Sequence, residues 1–159
     1  MLFLVHHADA VDATVDPQRP LSDDGRRHAE RLASRARDRH VKPAVIWHSG
    51  KLRTRQTAEP FWRTCNPLSE FAATRHLQPA DPPEWIADVI TGDPRDIMLV
   101  GHMPHIAKLH QRLVGPHEPM AAAFPVHGMV ALEQRGNEWF EVWRDDGKER
   151  SRERQEPGS

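Results

Sequence analysis

The stretch MLFLVHHADA, residues 1–10, decides the fold class of this chain. Its first five residues form a short apolar run, which ends at two histidines, a small residue and an acid. An apolar run of this length, followed by polar residues and later by a helix, is typical of a buried strand in an α/β sheet. Ligands of open α/β sheets bind outside the carboxyl ends of the strands. We therefore expect His6 and His7 to lie where such a fold carries its chemistry.

Short apolar runs alternate with helical patterns along the rest of the chain. Six strands are predicted, over residues 1–5, 44–47, 70–77, 97–100, 129–134 and 139–144. Four helices are predicted, over residues 25–39, 52–63, 84–90 and 105–113. The last two strands flank Arg135-Gly136-Asn137, which is a hairpin signal. The alternation predicts an α/β fold in three layers: a mostly parallel central sheet, helices on both faces and a C-terminal antiparallel edge hairpin.

Two of the predicted helices carry local signals. Ser22 fits the N-cap of the first helix, and Asp23 and Asp24 place carboxylates in its first turn, where they complement the helix dipole. Pro60 falls inside the second helix. We expect it to kink that helix or to end it early, because proline removes a backbone donor and clashes with the preceding turn.

Composition limits the classes of function. The 159 residues suffice for one domain, which we assign to residues 1–145, and we expect the charged residues 146–159 to form a disordered tail. A net charge of −1 gives no electrostatic footprint for nucleic acid or for an anionic membrane. Cys65 is the only cysteine, and no apolar run approaches the roughly 20 residues that span a bilayer. We therefore expect a cytoplasmic protein without disulfides, membrane spans or nucleic-acid partners.

Basic side chains collect at the predicted carboxyl edge of the sheet. They are His6, His7, Arg53 and His102, with Arg19 or His105 beside them. This set contains no serine or cysteine nucleophile, and it is suited to an anion. Arginine forks match phosphate oxygens, and a neutral histidine can attack phosphorus and carry the phosphoryl group. The sequence therefore points to phosphoryl chemistry.

Four short motifs occur in order along the chain. They are LFLVHHADA at 2–10, RPLS at 19–22 followed by Gly25, Ser49 with Leu52-Arg53 and Gln56-Thr57-Ala58, and GHMP at 101–104. In this order they resemble the histidine phosphatase superfamily, with its phosphoglycerate-mutase-like fold, and within it the short bacterial phosphohistidine phosphatases of SixA type. The resemblance implies that His7 is the nucleophile, that His102 is the second histidine of the site and that Arg53 is its second arginine.

The resemblance also implies an activity. The enzyme would remove a phosphoryl group from phosphohistidine on a partner protein, or from a small phosphate ester, through a covalent phospho-His7 intermediate. That chemistry requires no metal and no organic cofactor. The short chain leaves few insertions for a lid, so we expect an open site, which suits a phosphoryl group carried by a protein.

One position departs from the family pattern. The first motif of the family begins with an arginine that should bind the transferred phosphate, and this chain has His6 there. Histidine is shorter, has no fork and is only partly charged at pH 7. Loss of one charge-assisted donor from such a site typically costs about 10²–10³ in rate. We expect His6 to line the substrate site nonetheless, with Arg19 compensating if its loop folds over the site.

The proton donor is not evident from the sequence. Larger members of the family use a carboxylate from the loop after the third strand, where this chain reads TRHLQPADP, residues 74–82. That loop offers His76 and Asp81 but no glutamate. Gly50 also replaces a family proline, a change that a turn tolerates.

Two alternatives compete with the phosphatase. A degenerate relative would bind phosphate or a phosphoprotein with little turnover, because His6 replaces the arginine. A zinc site could be formed by His6, His7 and His102, since zinc accepts imidazole nitrogens and catalytic zinc often has three protein ligands. Adjacent strand residues point to opposite faces, so His6 and His7 converge only if the backbone turns there. We expect His127 to reach the rim of the site at most.

Overall fold

A computed structural model of the chain describes residues 1–150, so residues 151–159 of the predicted disordered tail lie outside the described residues. The strands are β1 (Leu2–His6), β2 (Val45–His48), β3 (Glu70–Ala73), β4 (Ile97–Gly101), β5 (Met129–Arg135) and β6 (Glu138–Asp145). The helices are α1 (Asp23–Asp38), α2 (Leu52–Cys65), α3 (Pro83–Ile90) and α4 (His105–Val114). No helix within residues 1–150 is long and apolar enough to cross a bilayer.

The six strands form one sheet in the order β3-β2-β4-β1-β5-β6. The strands β1 to β4 run parallel, β5 runs antiparallel to β1, and β6 closes the edge as an antiparallel partner of β5. Because β1 lies between β4 and β5, all five of its residues are buried. The predicted fold class, a mostly parallel sheet with an antiparallel edge hairpin, is confirmed.

Each face of the sheet is covered by one pair of helices. On one face, Leu2 and Leu4 of β1 pack in a cluster with buried residues of α3 and α4, among them Ile86 and Ile106. On the other face, alternate strand residues pack with α1 and α2 in a second cluster, namely Phe3, Val5, Leu32, Ala58 and Phe61. The alternation within β1 thus serves two cores, which is why the strand appears in the sequence as a continuous apolar run.

Most element boundaries differ from those predicted by one or two residues, and the ends of β1, β3 and α2 are the instructive cases. The strand β1 continues through His6, which pairs with Gly101 of β4 and therefore ends the strand as a buried residue. The strand β3 ends at Ala73, well before the predicted Leu77. Helix α2 passes through Pro60 and ends only at Cys65, so of the two predicted effects of this proline, a kink or an early end, the early end does not occur. Buried residues flank this proline on both sides, and their packing outweighs the hydrogen bond that proline removes.

The start of α1 is held against the loop that follows β1. As predicted, Ser22 is the N-cap: its hydroxyl accepts a hydrogen bond from the Gly25 amide at 3.0 Å. The Asp9 carbonyl accepts from the Ser22 amide at 3.0 Å. A Cβ atom on Gly25 would lie 2.0 Å from that same carbonyl oxygen. A glycine at position 25 therefore allows the backbone of α1 to approach the loop.

We expect Gly25→Ala to lower the free energy of unfolding by about 1–3 kcal/mol, because the clash is with backbone that cannot rotate away. Urea denaturation monitored by circular dichroism measures this change. Gly101→Ala is the matched control, since a Cβ there meets no atom closer than 3.7 Å. Equal denaturation midpoints for the two variants would contradict the prediction.

Candidate active site

Four chain segments meet at the carboxyl edge of the sheet. The parallel strands β2, β4 and β1 are neighbours, and the residues that directly follow them are Ser49, His102 and His7 respectively. The His7 amide donates to the Gly101 carbonyl at 3.0 Å, which continues the pairing past the end of β1. Because β5 is antiparallel, it begins at this same edge, where the Gly128 carbonyl accepts from the His6 amide at 3.0 Å. The edge therefore receives residues from four strands.

His7 is poised with one ring nitrogen free. Its Nδ1–H donates to the Ala8 carbonyl at 2.7 Å, so the neutral ring carries its proton on Nδ1 and a lone pair on Nε2. Burial, together with the positive charge of Arg53, lowers the pKa of His7 to about 4. The ring is therefore neutral at physiological pH, which is the form that can attack phosphorus.

His102 is buried, 1% exposed, with its ring centre 5.3 Å from that of His7. Its Nε2 lies 2.7 Å from the Ser49 hydroxyl, which lies 2.9 Å from the Thr54 hydroxyl. Thr54 donates its proton to the Lys51 carbonyl at 2.8 Å. Ser49 must then donate to Thr54, and His102 Nε2–H donates to Ser49. This chain of hydroxyls fixes the His102 ring and leaves Nδ1 for a ligand.

The electrostatic environment of His102 favours a neutral ring in the free protein. Burial lowers the pKa of His102 to about 3, with Arg53 and His7 as further causes. A bound phosphate would act in the opposite direction, because a nearby anion stabilises the imidazolium.

Two arginines face this edge. Arg53 lies in the first turn of α2, and its Nε is buried without a hydrogen-bond partner among residues 1–150. Burial lowers the pKa of Arg53, and the charge of Arg19 lowers it further. Arg19 lies in the loop between β1 and α1, where its Nε donates to the Val11 carbonyl at 3.1 Å. Two partly buried arginines beside His7 form a site that an oxyanion would neutralise.

His6 and His127 complete the cluster. His6, 6% exposed, accepts a hydrogen bond on Nδ1 from the His127 amide at 2.8 Å. The His127 ring donates from Nδ1 to the His7 carbonyl at 2.7 Å and stacks on the His6 ring, with centroids 4.9 Å apart and planes 9° apart. The structure thus brings His6, His7, Arg53, Arg19 and His102 to one edge of the sheet.

The expectation that His127 reaches only the rim is wrong, because it contacts both His6 and His7. The signal that could have placed it was present in the sequence. The predicted hairpin starts two residues after His127, and an antiparallel neighbour of β1 must begin at the edge where β1 ends.

The three histidines that lie close enough to hold a metal ion are not the three predicted from the sequence. The ring nitrogens that could bind a metal lie within 4.8 Å of one another in His6, His7 and His127. The predicted set had His102 in place of His127. His6 and His7 do converge, with ring centres 4.6 Å apart, since β1 ends at His6. His6 Nδ1 already accepts a backbone N–H, so its neutral ring holds a proton on Nε2. A metal needs a lone pair there, and the three rings therefore fit a metal ion poorly.

A cavity of about 450 Å³ adjoins the cluster on the side of β3. It is lined by Ser49, Ala73, Thr74, Arg75, His76, Gln78 and Asp81. The Gln78 side chain donates to the Ser49 carbonyl at 2.7 Å, and Asp81 accepts from the Gln78 amide at 2.9 Å. The two proton-donor candidates of the sequence, His76 and Asp81, therefore both line a cavity beside the site.

Because several histidines are buried, we expect the stability of the fold to decrease at acid pH. The pKa values of His6 and His102 are about 3 in the folded protein, against an ordinary value of 6.5. Between pH 3 and pH 6.5 the unfolded chain binds more protons than the folded protein does. The free energy of unfolding is therefore highest above pH 6.5 and falls as the pH falls toward 3. We expect a slope on the order of 1 kcal/mol per pH unit for each ring.

Urea denaturation from pH 4 to pH 8 measures this slope. His102→Gln should flatten it, whereas His40→Asn should leave it unchanged, because the His40 ring is exposed. A slope equal in His102→Gln and the wild type would contradict the assignment.

Part of the chain is similar in sequence to a known family. The sequence model of the histidine phosphatase superfamily (branch 1) matches residues 5–81, which include His7, Arg19 and Arg53. No curated protein sequence matches the chain.

Solved structures share the fold over most of the chain. The putative phosphohistidine phosphatase SixA from Agrobacterium tumefaciens is 25% identical, with a TM-score of 0.74 over 90% of this chain and 95% of that one. The protein histidine phosphatase SixA in complex with tungstate is 20% identical, with a TM-score of 0.79 over 92% and 96%. A phosphoserine phosphatase mutant from Entamoeba histolytica, bound to phosphoserine, is 11% identical, with a TM-score of 0.67 over 92% and 97%. The chain is thus similar to the histidine phosphatase superfamily, in sequence over residues 5–81 and in fold over most of its length.

Proposed function

We propose that the chain is a phosphatase that works through a phosphoryl group carried on His7. The Nε2 lone pair of His7 attacks phosphorus, and the bond to the leaving atom breaks with its electron pair. Water then attacks the phosphorus of phospho-His7, and the P–N bond breaks to release phosphate. The observation that carries the proposal is the free Nε2 of His7, left by the 2.7 Å bond between Nδ1 and the Ala8 carbonyl.

The neighbouring groups have separate tasks in this reaction. Arg53 and Arg19 bind the phosphoryl oxygens, since both charges act on His7 and the Arg53 Nε is buried without a partner among residues 1–150. His102, held through Nε2 by Ser49, donates from Nδ1 once the anion favours its protonation. The chemistry needs no metal and no organic cofactor.

The proposed substrates are phosphohistidine on a partner protein and small phosphate esters. The resemblance to proteins described as phosphohistidine phosphatases supports the first, and the likeness to a phosphoserine phosphatase supports the second. The cavity beside Ser49 would receive the leaving group, which must take up a proton there. Asp81 and His76 are the side chains of that cavity able to supply one.

A second function is favoured by one observation. Burial lowers the pKa of His6 to about 3, so the position of the family's first arginine carries no charge at neutral pH. A member of this kind would bind phosphate or a phosphoprotein and turn over slowly. It differs from the first proposal only in rate, and the same assay separates the two.

The test is hydrolysis of an aryl phosphate and of a phosphohistidine substrate in the presence of chelator, by wild type, His7→Ala and His6→Arg. Turnover by the wild type that vanishes in His7→Ala supports the phosphatase. Turnover that appears only in His6→Arg supports the slow phosphate-binding member. No turnover by any of the three overturns the proposal for these substrates.

A further inference from the structure

We infer that the backbone amide of His127 fixes the tautomer of His6, so that His6 presents Nε2–H to the phosphoryl group as an uncharged hydrogen-bond donor. The inference rests on the proposed function and names a residue, His127, that positions a phosphate ligand. In this arrangement His6 supplies the hydrogen bond expected of the family's arginine without its charge.

The tautomer follows from the donor that His6 faces. A backbone amide can only donate, so His6 Nδ1 must accept at the 2.8 Å that separates it from the His127 nitrogen. A neutral imidazole has one proton, and Nδ1 cannot hold it. It therefore lies on Nε2. The opposite holds for His7 and His127, whose Nδ1 atoms face carbonyl oxygens and must donate.

His127 is anchored at three points, so the amide is held in place. Its ring donates to the His7 carbonyl at 2.7 Å, and its own carbonyl accepts from His28 Nε2 of α1 at 2.9 Å. Its ring also stacks on that of His6. The backbone at position 127 is left-handed, with φ of 56°, a conformation that is uncommon outside glycine and in which asparagine, aspartate and histidine are enriched. This conformation occurs where the His127 amide meets His6.

The surroundings of His6 keep the ring uncharged. Burial is the main cause of its low pKa, and His7, His127 and His102 act in the same direction as potential positive neighbours. The ring centre of His6 is 4.6 Å from that of His7, so a phosphoryl group on His7 lies within reach of a donor on His6. An uncharged donor to phosphate gives a weaker bond than an arginine fork but avoids burying another cation beside Arg53 and Arg19.

Imidazole ¹⁵N NMR tests the tautomers directly, through long-range correlations between ring carbon-bound protons and ring nitrogens at pH 7. We expect the Nε2–H form for His6 and the Nδ1–H form for His7 and His127, with His6→Gln and His127→Asn assigning the signals. A His6 ring with its proton on Nδ1, or with two protons, overturns the inference. So does loss of the His6 Nε2–H signal on addition of one equivalent of Zn²⁺, which would indicate a metal site.

Binding of inorganic phosphate, measured by calorimetry, tests the consequence for the ligand. His6→Leu removes the donor and should weaken binding by about 10-fold or more. His6→Gln retains an uncharged N–H donor and should recover part of that loss. His127→Asn tolerates the left-handed backbone but loses both contacts of the ring, and it should also weaken binding. Equal affinity of His6→Leu and wild type overturns the inference.

These measurements are independent of turnover. If the protein hydrolyses nothing while the tautomers and phosphate affinities follow expectation, the proposed function fails and the inference stands. If the protein hydrolyses its substrates while His6 carries its proton on Nδ1, the inference alone fails.

Discussion

His7→Ala is expected to lower kcat/KM for phosphate-ester and phosphohistidine hydrolysis by more than about 10⁴-fold, because it removes the atom that attacks phosphorus. The nucleophile cannot be replaced by a neighbour. His102 is bound through Nε2 to Ser49, and His6 carries its proton on Nε2, so neither presents a free lone pair in the same place. Steady-state kinetics with an aryl phosphate measures the loss.

The control for His7→Ala is His117→Ala, which removes a histidine ring stacked on Phe140, remote from the site. It should keep wild-type kinetics. Circular dichroism and urea denaturation of both variants establish that the fold is retained. Substantial hydrolysis by folded His7→Ala would show that the phosphoryl group does not pass through this residue.

We expect Arg53→Ala to have the second largest effect on catalysis, with kcat/KM lower than that of the wild type by about 10²–10³-fold. The Arg53 guanidinium is partly buried, and its Nε has no protein partner among residues 1–150, so its binding capacity is available to the phosphoryl oxygens. Arg53→Lys restores charge without the fork, and it should recover only part of the loss. The same aryl phosphate assay measures both variants.

Arg55 provides the matched control on the same helix. It is exposed, and its Nε donates to Glu59 at 3.1 Å, one turn along α2. A surface pair of this kind contributes little, so Arg55→Ala should change kcat/KM by less than about 2-fold. Equal losses from Arg53→Ala and Arg55→Ala would mean that α2 contributes general positive charge and no specific phosphate ligand.

Most of the fold could be predicted from the sequence, because the central strands are buried on both faces. Such strands appear as uninterrupted apolar runs, and the parallel strands β1, β2 and β4 can be predicted from them, whereas β3 is a half-exposed edge strand. The errors lie where tertiary packing overrides a local rule. Pro60 sits among buried residues of α2 and does not end the helix. β1 includes His6, a polar residue that the apolar pattern assigned to the following loop.

The site was predictable where it depends on side-chain type at strand ends. His7, Arg53 and His102 stand beside β1, in α2 and beside β4, and the order of these elements in the sheet brings them together. His127 was underestimated for a physical reason. Its effect on His6 comes from a backbone amide held in a left-handed conformation, and neither feature is visible in the identity of the residue.

Trapping the phosphoryl-enzyme shows whether the phosphoryl group passes through His7. Wild-type protein would be mixed with excess substrate, quenched within the first turnovers at alkaline pH, where phosphohistidine survives, and digested for mass spectrometry. We expect one phosphoryl group on the peptide that contains His7, attached at Nε2, and none on His7→Ala. Hydrolysis by wild type without any phosphopeptide, or with the phosphoryl group on His6, His102 or His127, would contradict this expectation.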